Sequence, residues 1–261
     1  MPTKPSDRLK VTFLGTGTSI GVPVITCDCP VCVSTNLRDK RMRTSVMLEV
    51  NGLTFVIDCG PDFRHQMLRQ KVMNLDAVIF THEHRDHIAG LDDVRAFNYV
   101  LNKKIDIYGT PRVVEAIRIE FPYIFSETRY FGAPQLTIHP IADQPFTIMG
   151  IEFIPILVMH EKLPVTGFRV GDFTYITDAS YISDPELEKI RGSRVIVLNA
   201  LRNSKHVSHF SVGEAVDILK SLNPERAFLT HLSHFVGLHE DVNKKLPGFI
   251  RLAYDGLEVM V

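Results

Sequence analysis

The chain has 261 residues, 45% of them apolar, with 29 basic and 30 acidic side chains and a formal net charge of −1. That is ample for a sizeable core, and the near-balance of charge argues against a general nucleic-acid or membrane-surface binder. No apolar run follows the opening MPTKPSDR or is long enough to span a bilayer, so the expected compartment is the cytoplasm, with no membrane partner.

KVTFLG (10–15) reads as a first strand, broken by glycine-rich GTGTSIGVP and then by CDCPVC, which holds Cys27, Cys29 and Cys32. In a reducing compartment such spacing points to metal rather than disulfides. SVMLEV and LTFVID flank Asn51-Gly52, the strongest short hairpin signal. DAVIFT is a further strand, followed by THEHRDH and by a helix expected from Asp86 or His87 through HIAGLDDVRAFNYVL. KIDIYG reads as a strand and PRVVEAIRIEF as a helix, with Pro111 in its first turn. The aromatic stretch FPYIFSETRYF, Phe121 to Phe131, fits a pocket wall, a dimer contact or plain core packing.

FTIMGIEFIPILV reads as strand, and TGFRV and FTYITD flank a second turn signal, Gly171-Asp172. SDPELEKIRG is helical, RVIVLN a strand, and SVGEAVDILKSL a helix whose Ser211 and Glu214 fit a capping box. RAFLT is a strand, and Asp255-Gly256 repeats the hairpin grammar. With no linker, repeat or low-complexity stretch, the chain reads as one domain over 1–261, with a cysteine knuckle at 27–32. Hairpins with interspersed helices predict stacked sheets covered by helices.

Polar residues gather where these strands end. His82, His84, Asp86 and His87 follow DAVIFT, His160 follows FIPILVM, Asp178 follows FTYIT, His231 follows RAFLT, and Asp58 ends LTFVID. Loops at strand ends are where sheet folds carry their chemistry, because the scaffold beneath is rigid. His82 and His84, two apart in an extended segment, point to one side. Asp86 and His87 sit on the turn into a helix and can face a second centre. Imidazole with carboxylate suits zinc, manganese or iron and is poor for calcium. Seven such groups exceed the needs of one zinc, so two metals sharing a bridging carboxylate fit the count better. The cysteine knuckle needs a fourth ligand for a closed tetrahedral site. His234, three residues beyond His231 in THLSH, is the better candidate, and Cys59 reads as a small buried thiol.

THEHRDH resembles the HxHxDH signature of the metallo-β-lactamase superfamily, and the resemblance runs from FLGTGTSIGVP through IDCGPDFR to THLSH. It implies a four-layer αββα sandwich with a dinuclear site at one edge of its two sheets. It implies that His82, His84 and His160 bind one metal, that Asp86, His87 and His231 bind the other, and that Asp178 bridges them. Asp58 would support the ligand loop by hydrogen bonding. FLGTGTSxGxP with CxCxxC and a late HxxH is similar to the phosphoribosyl cyclic phosphodiesterases of phosphonate breakdown. A branch associated with pyrroloquinoline quinone biosynthesis has a similar cysteine run.

HVSHFSVGEA resembles a segment of the tRNA 3′-processing endonucleases that places a histidine just before a helix. His209 is the better match and His206 the alternative. The role implied is to stabilise the scissile phosphate and protonate the departing oxygen. The implied activity is hydrolysis of a small, cyclic or nucleotide-like phosphodiester by a metal-activated hydroxide. It would use two divalent metals, Zn or Mn, with Asp86 and Asp178 orienting the nucleophile, and one structural Zn. Lactone, thioester or ester hydrolysis uses the same centre and is one alternative; a non-hydrolytic cofactor-biosynthesis binding protein is another. No long basic glycine- and proline-rich arm is found, which argues against a tRNA partner, and the resemblance also implies a homodimer. Arg85, in the last variable position of the signature, reads as an exposed charge or a contact to an anionic substrate. His65, His139 and His239 receive no role.

Overall fold

Runs of β-branched and aromatic residues form two mixed sheets, one in each of the two units into which the chain divides. A computed structural model describes residues 8–126, 128 and 131–261. Unit one consists of the segment ending at Leu14, Ser45–Pro140 and Gly256–Val261; unit two consists of Gly15–Thr44 and Ile141–Asp255.

Unit one is built on β1 (Lys10–Gly15), β2 (Ser45–Val50), β3 (Leu53–Ile57), β4 (Ala77–Ile79), β5 (Ile105–Gly109) and β6 (Leu136–Pro140), with Glu258–Met260 paired outside β1. β2 and β3 are antiparallel through Asn51-Gly52, whose φ values of 53° and 79° are the left-handed pair that a tight hairpin loop requires. β3 to β6 run parallel, so their connections must cross over, and helices fill them. These are Phe63–Gln70, Arg95–Leu101, Pro111–Glu120 and Pro122–Phe125. Phe63, Met67, Phe97, Val113 and Ile117 from these helices join Val56, Val78 and Ile107 of the strands in one core. β4, Ala-Val-Ile, is buried throughout, which explains a continuous apolar run in place of alternation.

The sequence predicts one helix from Asp86 or His87 to Leu101. The chain instead makes a short helix at Arg85–Ile88, a 3-10 turn at Leu91–Val94, and a second helix at Arg95–Leu101. The break lies at Gly90, whose N–H donates to the Cys59 carbonyl at 2.8 Å. A Cβ there would lie 2.0 Å from the Gly60 oxygen, so the backbone approach itself interrupts the helix. The Phe63–Gln70 helix was not foreseen, because FRHQMLRQ offers only Phe63 and Met67 as an apolar i, i+4 pair. In the aromatic stretch Phe121 and Ile124 are buried in the core, while Glu127, Arg129 and Tyr130 lie outside the described residues.

Unit two is built on β7 (Phe146–Ile148), β8 (Ile151–His160), β9 (Leu163–Val170), β10 (Phe173–Ile176), β11 (Tyr181–Ile182), β12 (Val195–Asn199), β13 (Arg226–Thr230) and β14 (Ile250–Leu252). The order is β11-β8-β9-β10-β12-β13-β14, with β7 on β8. β8 to β10 are antiparallel and β10, β12, β13 and β14 are parallel. The run from Phe146 read as one strand is two: Met149 and Gly150 take φ of 48° and 87°, and β7 folds back on β8 with Ile148 opposite Ile151. Gly171-Asp172 joins β9 and β10 as expected. Asp255-Gly256 does not close a hairpin, because β14 pairs with β13 while the strand that follows pairs with β1.

Helices Asp184–Ile190, Val212–Leu222 and His239–Asn243 complete this unit. The second opens on the predicted capping box of Ser211 and Glu214. Its Ala215 and Leu219 pack on Ile196, Leu198 and Leu229 of the sheet. Among the described residues, no helix is long and apolar enough to cross a membrane.

Candidate metal centre

Three side chains hang from strands at strained backbone positions. Asp58 follows β3, Asp178 stands two residues past β10, and His231 follows β13, with φ of 66°, 53° and 56°. Left-handed non-glycine residues cost of order 1–3 kcal/mol each and cluster at functional sites, and Asp and His tolerate the region better than most.

In unit one the Thr81 N–H donates to Asp58 Oδ1 at 2.9 Å, and the Thr81 hydroxyl donates to Oδ2 at 2.9 Å. Oδ2 also lies 2.7 Å from His87 Nδ1. Both partners are fully buried. A carboxylate can only accept, so this contact places the His87 proton on Nδ1 and leaves Nε2 as a lone pair. The Thr81 oxygen, its hydrogen committed to Asp58, accepts in turn from His82 Nδ1 at 3.0 Å. One carboxylate therefore orients two imidazoles, one directly and one through a hydroxyl. The rings of His84 and His87 lie 4.6 and 4.1 Å from that of His82, and Asp86 Oδ2 is 3.2 Å from His87 Nε2. Asp58 was foreseen in a supporting role; the relay through Thr81 was not, since a lone threonine at a strand end carries no signal.

In unit two Asp178 is buried, accepts from the Thr177 hydroxyl at 2.5 Å, and lies 3.2 Å from His231 Nε2. Its turn is clamped by Asn199, whose side chain accepts from the Ala179 N–H and donates to the Ala179 carbonyl, at 2.8 and 2.9 Å. His160 Nδ1 donates to the Ser208 carbonyl at 2.7 Å, which again leaves Nε2 to act as a ligand. His160, Asp178 and His209 each bring a ligand atom within 4.8 Å of the others. In His82, His87 and His160 alike, Nδ1 is engaged in a hydrogen bond and the lone pair falls on Nε2. That donor chemistry fits divalent metal.

His209 is buried, with its ring 4.5 Å from that of His160 and 4.8 Å from that of His231. Burial and the neighbouring His231 push its pKa down to about 3, so the imidazole alone is neutral at pH 7. His206, the alternative, is more exposed, with its ring 5.4 Å from His209 and its Nδ1 3.2 Å from Ser208 Oγ. Of the two, His209 stands at the cluster.

A separate group forms where Pro30–Val33 makes a single helical turn. His234 Nδ1 lies 3.3 Å from Cys27 Sγ, 3.3 Å from Cys29 Sγ and 3.5 Å from Cys32 Sγ. One ring nitrogen cannot serve three thiols as a hydrogen-bond partner. With Zn–S near 2.3 Å and Zn–N near 2.0–2.1 Å, however, a tetrahedral zinc requires S···N edges of about 3.5 Å. The group fits zinc. A backbone N–H bond from Cys32, with His234 beside it, draws the Cys29 thiol down to about 6. Cys59 belongs to unit one, where burial raises its thiol pKa well above the usual range, and it takes no part.

Several histidines gain or lose meaning here. His239, given no role by sequence, is buried with the Arg41 guanidinium 3.3 Å from its Nδ1, and its backbone N–H donates to Asp39 Oδ1 at 2.8 Å. Arg41 also donates to the Thr16 hydroxyl and the Ala253 carbonyl. The network ties the knuckle-bearing segment to the end of unit two. His139 pairs with Asp106 at 3.1 Å and His65 is exposed. Arg85 is exposed and paired with Glu120 at 2.8 Å.

The profile of the β-lactamase superfamily domain matches residues 54–232. A crystal structure described as a new diphosphatase from the PhnP family shares 37% identity and a TM-score of 0.90, covering 96% of this chain and 97% of its own. An octanoyltransferase of Porphyromonas gingivalis is 37% identical over 256 residues, which are 97% of this chain and 52% of that protein. A ribonuclease Z of Nostoc punctiforme is 28% identical over 170 residues, 63% of this chain and 47% of that protein. The chain thus spans about half the length of the curated relatives it matches.

Proposed function

The chain belongs to the β-lactamase superfamily and has its metallo-hydrolase fold, and on that premise we propose that it hydrolyses a small phosphodiester. His82, His84, Asp86 and His87 of unit one would hold divalent metal, Zn or Mn, and so would His160, Asp178 and His231 of unit two. Two such metals supply Lewis-acid charge and lower the pKa of a water enough to make it a nucleophile near neutral pH. Cys27, Cys29, Cys32 and His234 would hold a structural zinc.

The observation that carries the phosphodiester reading is His209, a buried imidazole set against His160 and Asp178. A phosphodiester leaves as a poor alkoxide and needs a proton; an acyl substrate has less need of one. The bare imidazole is neutral, and it donates an N–H to a phosphoryl oxygen in that form. A bound monoanion beside it opposes the desolvation that keeps it neutral, so substrate raises its proton affinity and arms it as general acid. Asp58 and Thr81 hold His87 and His82 in one tautomer throughout, and the Ser208 carbonyl does the same for His160. Asp86 and Asp178, as ligands, would also accept a hydrogen bond from the attacking water and aim it.

The diphosphatase and ribonuclease Z relatives support hydrolysis at phosphorus by name. The octanoyltransferase supports an acyl ester or thioester as second reading, although its name describes a protein with about half its length outside the match. The deciding experiment offers bis(p-nitrophenyl) phosphate and an acyl thioester to zinc- and manganese-loaded protein, beside Asp178→Ala and His209→Ala. We expect diester turnover that Asp178→Ala abolishes and His209→Ala slows by roughly 10²–10⁴. Thioester turnover alone would transfer the assignment to acyl chemistry.

A further inference from the structure

Between β12 and His209 the chain runs through an exposed loop, and the short 3-10 turn at His234–Val236 opens on the knuckle histidine. Arg202, Asn203 and Ser204 from the first and Phe235 from the second line a cleft of about 380 Å³. Asn203 also lines an adjoining cavity of about 560 Å³. Both volumes lie within the range of small-molecule sites.

Two side chains in this cleft are held ready. Phe235 is 65% exposed, unusual for so apolar a ring. Its backbone is nonetheless fixed, since its N–H donates to Ser233 Oγ at 3.3 Å and its carbonyl accepts from Asn203 Nδ2 at 3.2 Å. The ring rests against His234 at a centroid distance of 4.0 Å. It is an exposed aromatic face on an anchored backbone. Arg202 donates from Nε to the Ser204 carbonyl at 3.3 Å and from Nη2 to the Lys205 carbonyl at 2.8 Å. Those bonds fix the guanidinium plane, which is the preorganisation that makes arginine selective for phosphate. The cleft also stands beside the candidate site: the Leu201 N–H donates to the carbonyl of Phe210, the residue after His209, at 2.9 Å, and the Leu201 carbonyl accepts from the N–H of Ser233, two residues past His231, at 3.0 Å.

We infer that this cleft holds the part of the substrate beyond the scissile bond, and that this part is a nucleoside bearing a second phosphate. The base stacks on Phe235 and the second phosphate meets Arg202. Stacking on an aromatic face tolerates any base, whereas an anchored guanidinium selects for the extra anion. This deepens the phosphodiesterase reading and rests on it.

The test compares three p-nitrophenyl esters on the metal-loaded protein: methyl phosphate, thymidine 5′-phosphate, and thymidine 5′-phosphate carrying a 3′-phosphate. We expect KM to fall roughly tenfold when the base is added, at the low end of the range for base–aromatic stacking, and again when the second phosphate is added. In Phe235→Leu the first gain is lost, and Phe235→Trp restores it. In Arg202→Met the second gain is lost, and Arg202→Lys recovers only part of it. Zinc content is measured throughout, and if Phe235→Leu disturbs the knuckle, the Trp variant and the Arg202 pair carry the comparison. Equal KM for the three esters in the wild type, or gains that persist in both variants, would overturn the inference. If the wild type cleaves none of the three, the phosphodiesterase reading itself falls, and this one with it.

Discussion

Asp58→Asn separates the orienting role of one carboxylate from its bulk. The replacement is isosteric, so it opens no cavity, and asparagine accepts the left-handed φ of 66° as readily as aspartate. The amide oxygen can keep the Thr81 N–H, now 2.9 Å from Oδ1. The amide nitrogen then faces His87 Nδ1, 2.7 Å away, where two donors cannot meet. His87 must move its proton to Nε2, the nitrogen that lies 3.2 Å from Asp86 and would otherwise ligate. The Thr81 hydroxyl loses its bond to Oδ2 and keeps only the longer one to Oδ1, at 3.1 Å, so the relay to His82 loosens. Partners of this kind typically contribute 10–100-fold to metal affinity or activity, about 1.4–2.8 kcal/mol at 1.4 kcal/mol per decade. Zinc competition against a chelator of known affinity, on wild type and variant, reads this directly. We expect weakening by one to two decades at the histidine centre and none at the cysteine site, with the urea midpoint of the metal-free chain nearly unchanged. Equal zinc affinity in Asp58→Asn would refute the reasoning, since the tautomer would then not depend on the carboxylate.

Gly90→Ala should be among the costliest small substitutions, because its Cβ would lie 2.0 Å from a backbone oxygen and 2.8 Å from Phe63 Cβ. Overpacking typically costs 1–3 kcal/mol, and here at least about 3 kcal/mol is expected in urea unfolding. His234→Ala should remove one zinc equivalent by elemental analysis while the histidine centre keeps its own; an unchanged zinc count would show that His234 is not a ligand. Burial and the Arg41 charge lower His239 to about 4. The folded chain therefore binds fewer protons than the unfolded one between about pH 4 and 6.5. The stability this contributes is complete above about pH 6.5 and is lost as pH falls through 4. His239→Gln should flatten that part of the profile of urea midpoint against pH, and a parallel profile would count against the assignment.

Much of the candidate site was legible because its residues sit where apolar runs stop. THEHRDH, His160, Asp178 and His231 could be picked out by position alone, and the run of three cysteines asks for a fourth donor, where His234 Nδ1 lies within 3.5 Å of all three sulfurs. The misses concern what only folding brings together. Nothing local marks Thr81 as the link between Asp58 and His82, or Asn199 as the clamp on the Asp178 turn, since Asp58 and Ala179 lie 23 and 20 residues away. The interruption at Gly90 likewise follows from the approach of Gly60 and not from a weak helical pattern. Asp255-Gly256 carries a sound turn signal, but a turn signal does not say which sheet each flanking strand will enter. His239 looked idle because burial beside Arg41 leaves no trace in sequence.

The pairing of Glu258–Met260 with β1 bears on how the protein is made. Residues 10–12 find their partner only after every residue of unit two has been synthesised. Until then a growing chain offers the open edge of its first strand to any other strand nearby, and such edges template association between chains. Pairing between such distant segments is also slow, because the closure entropy comes before the reward. A chain that stops short of Glu258 would therefore still carry that sticky margin. Loss of the Glu258–Met260 strand is thus expected to show first as poor soluble yield, ahead of any defect in its chemistry.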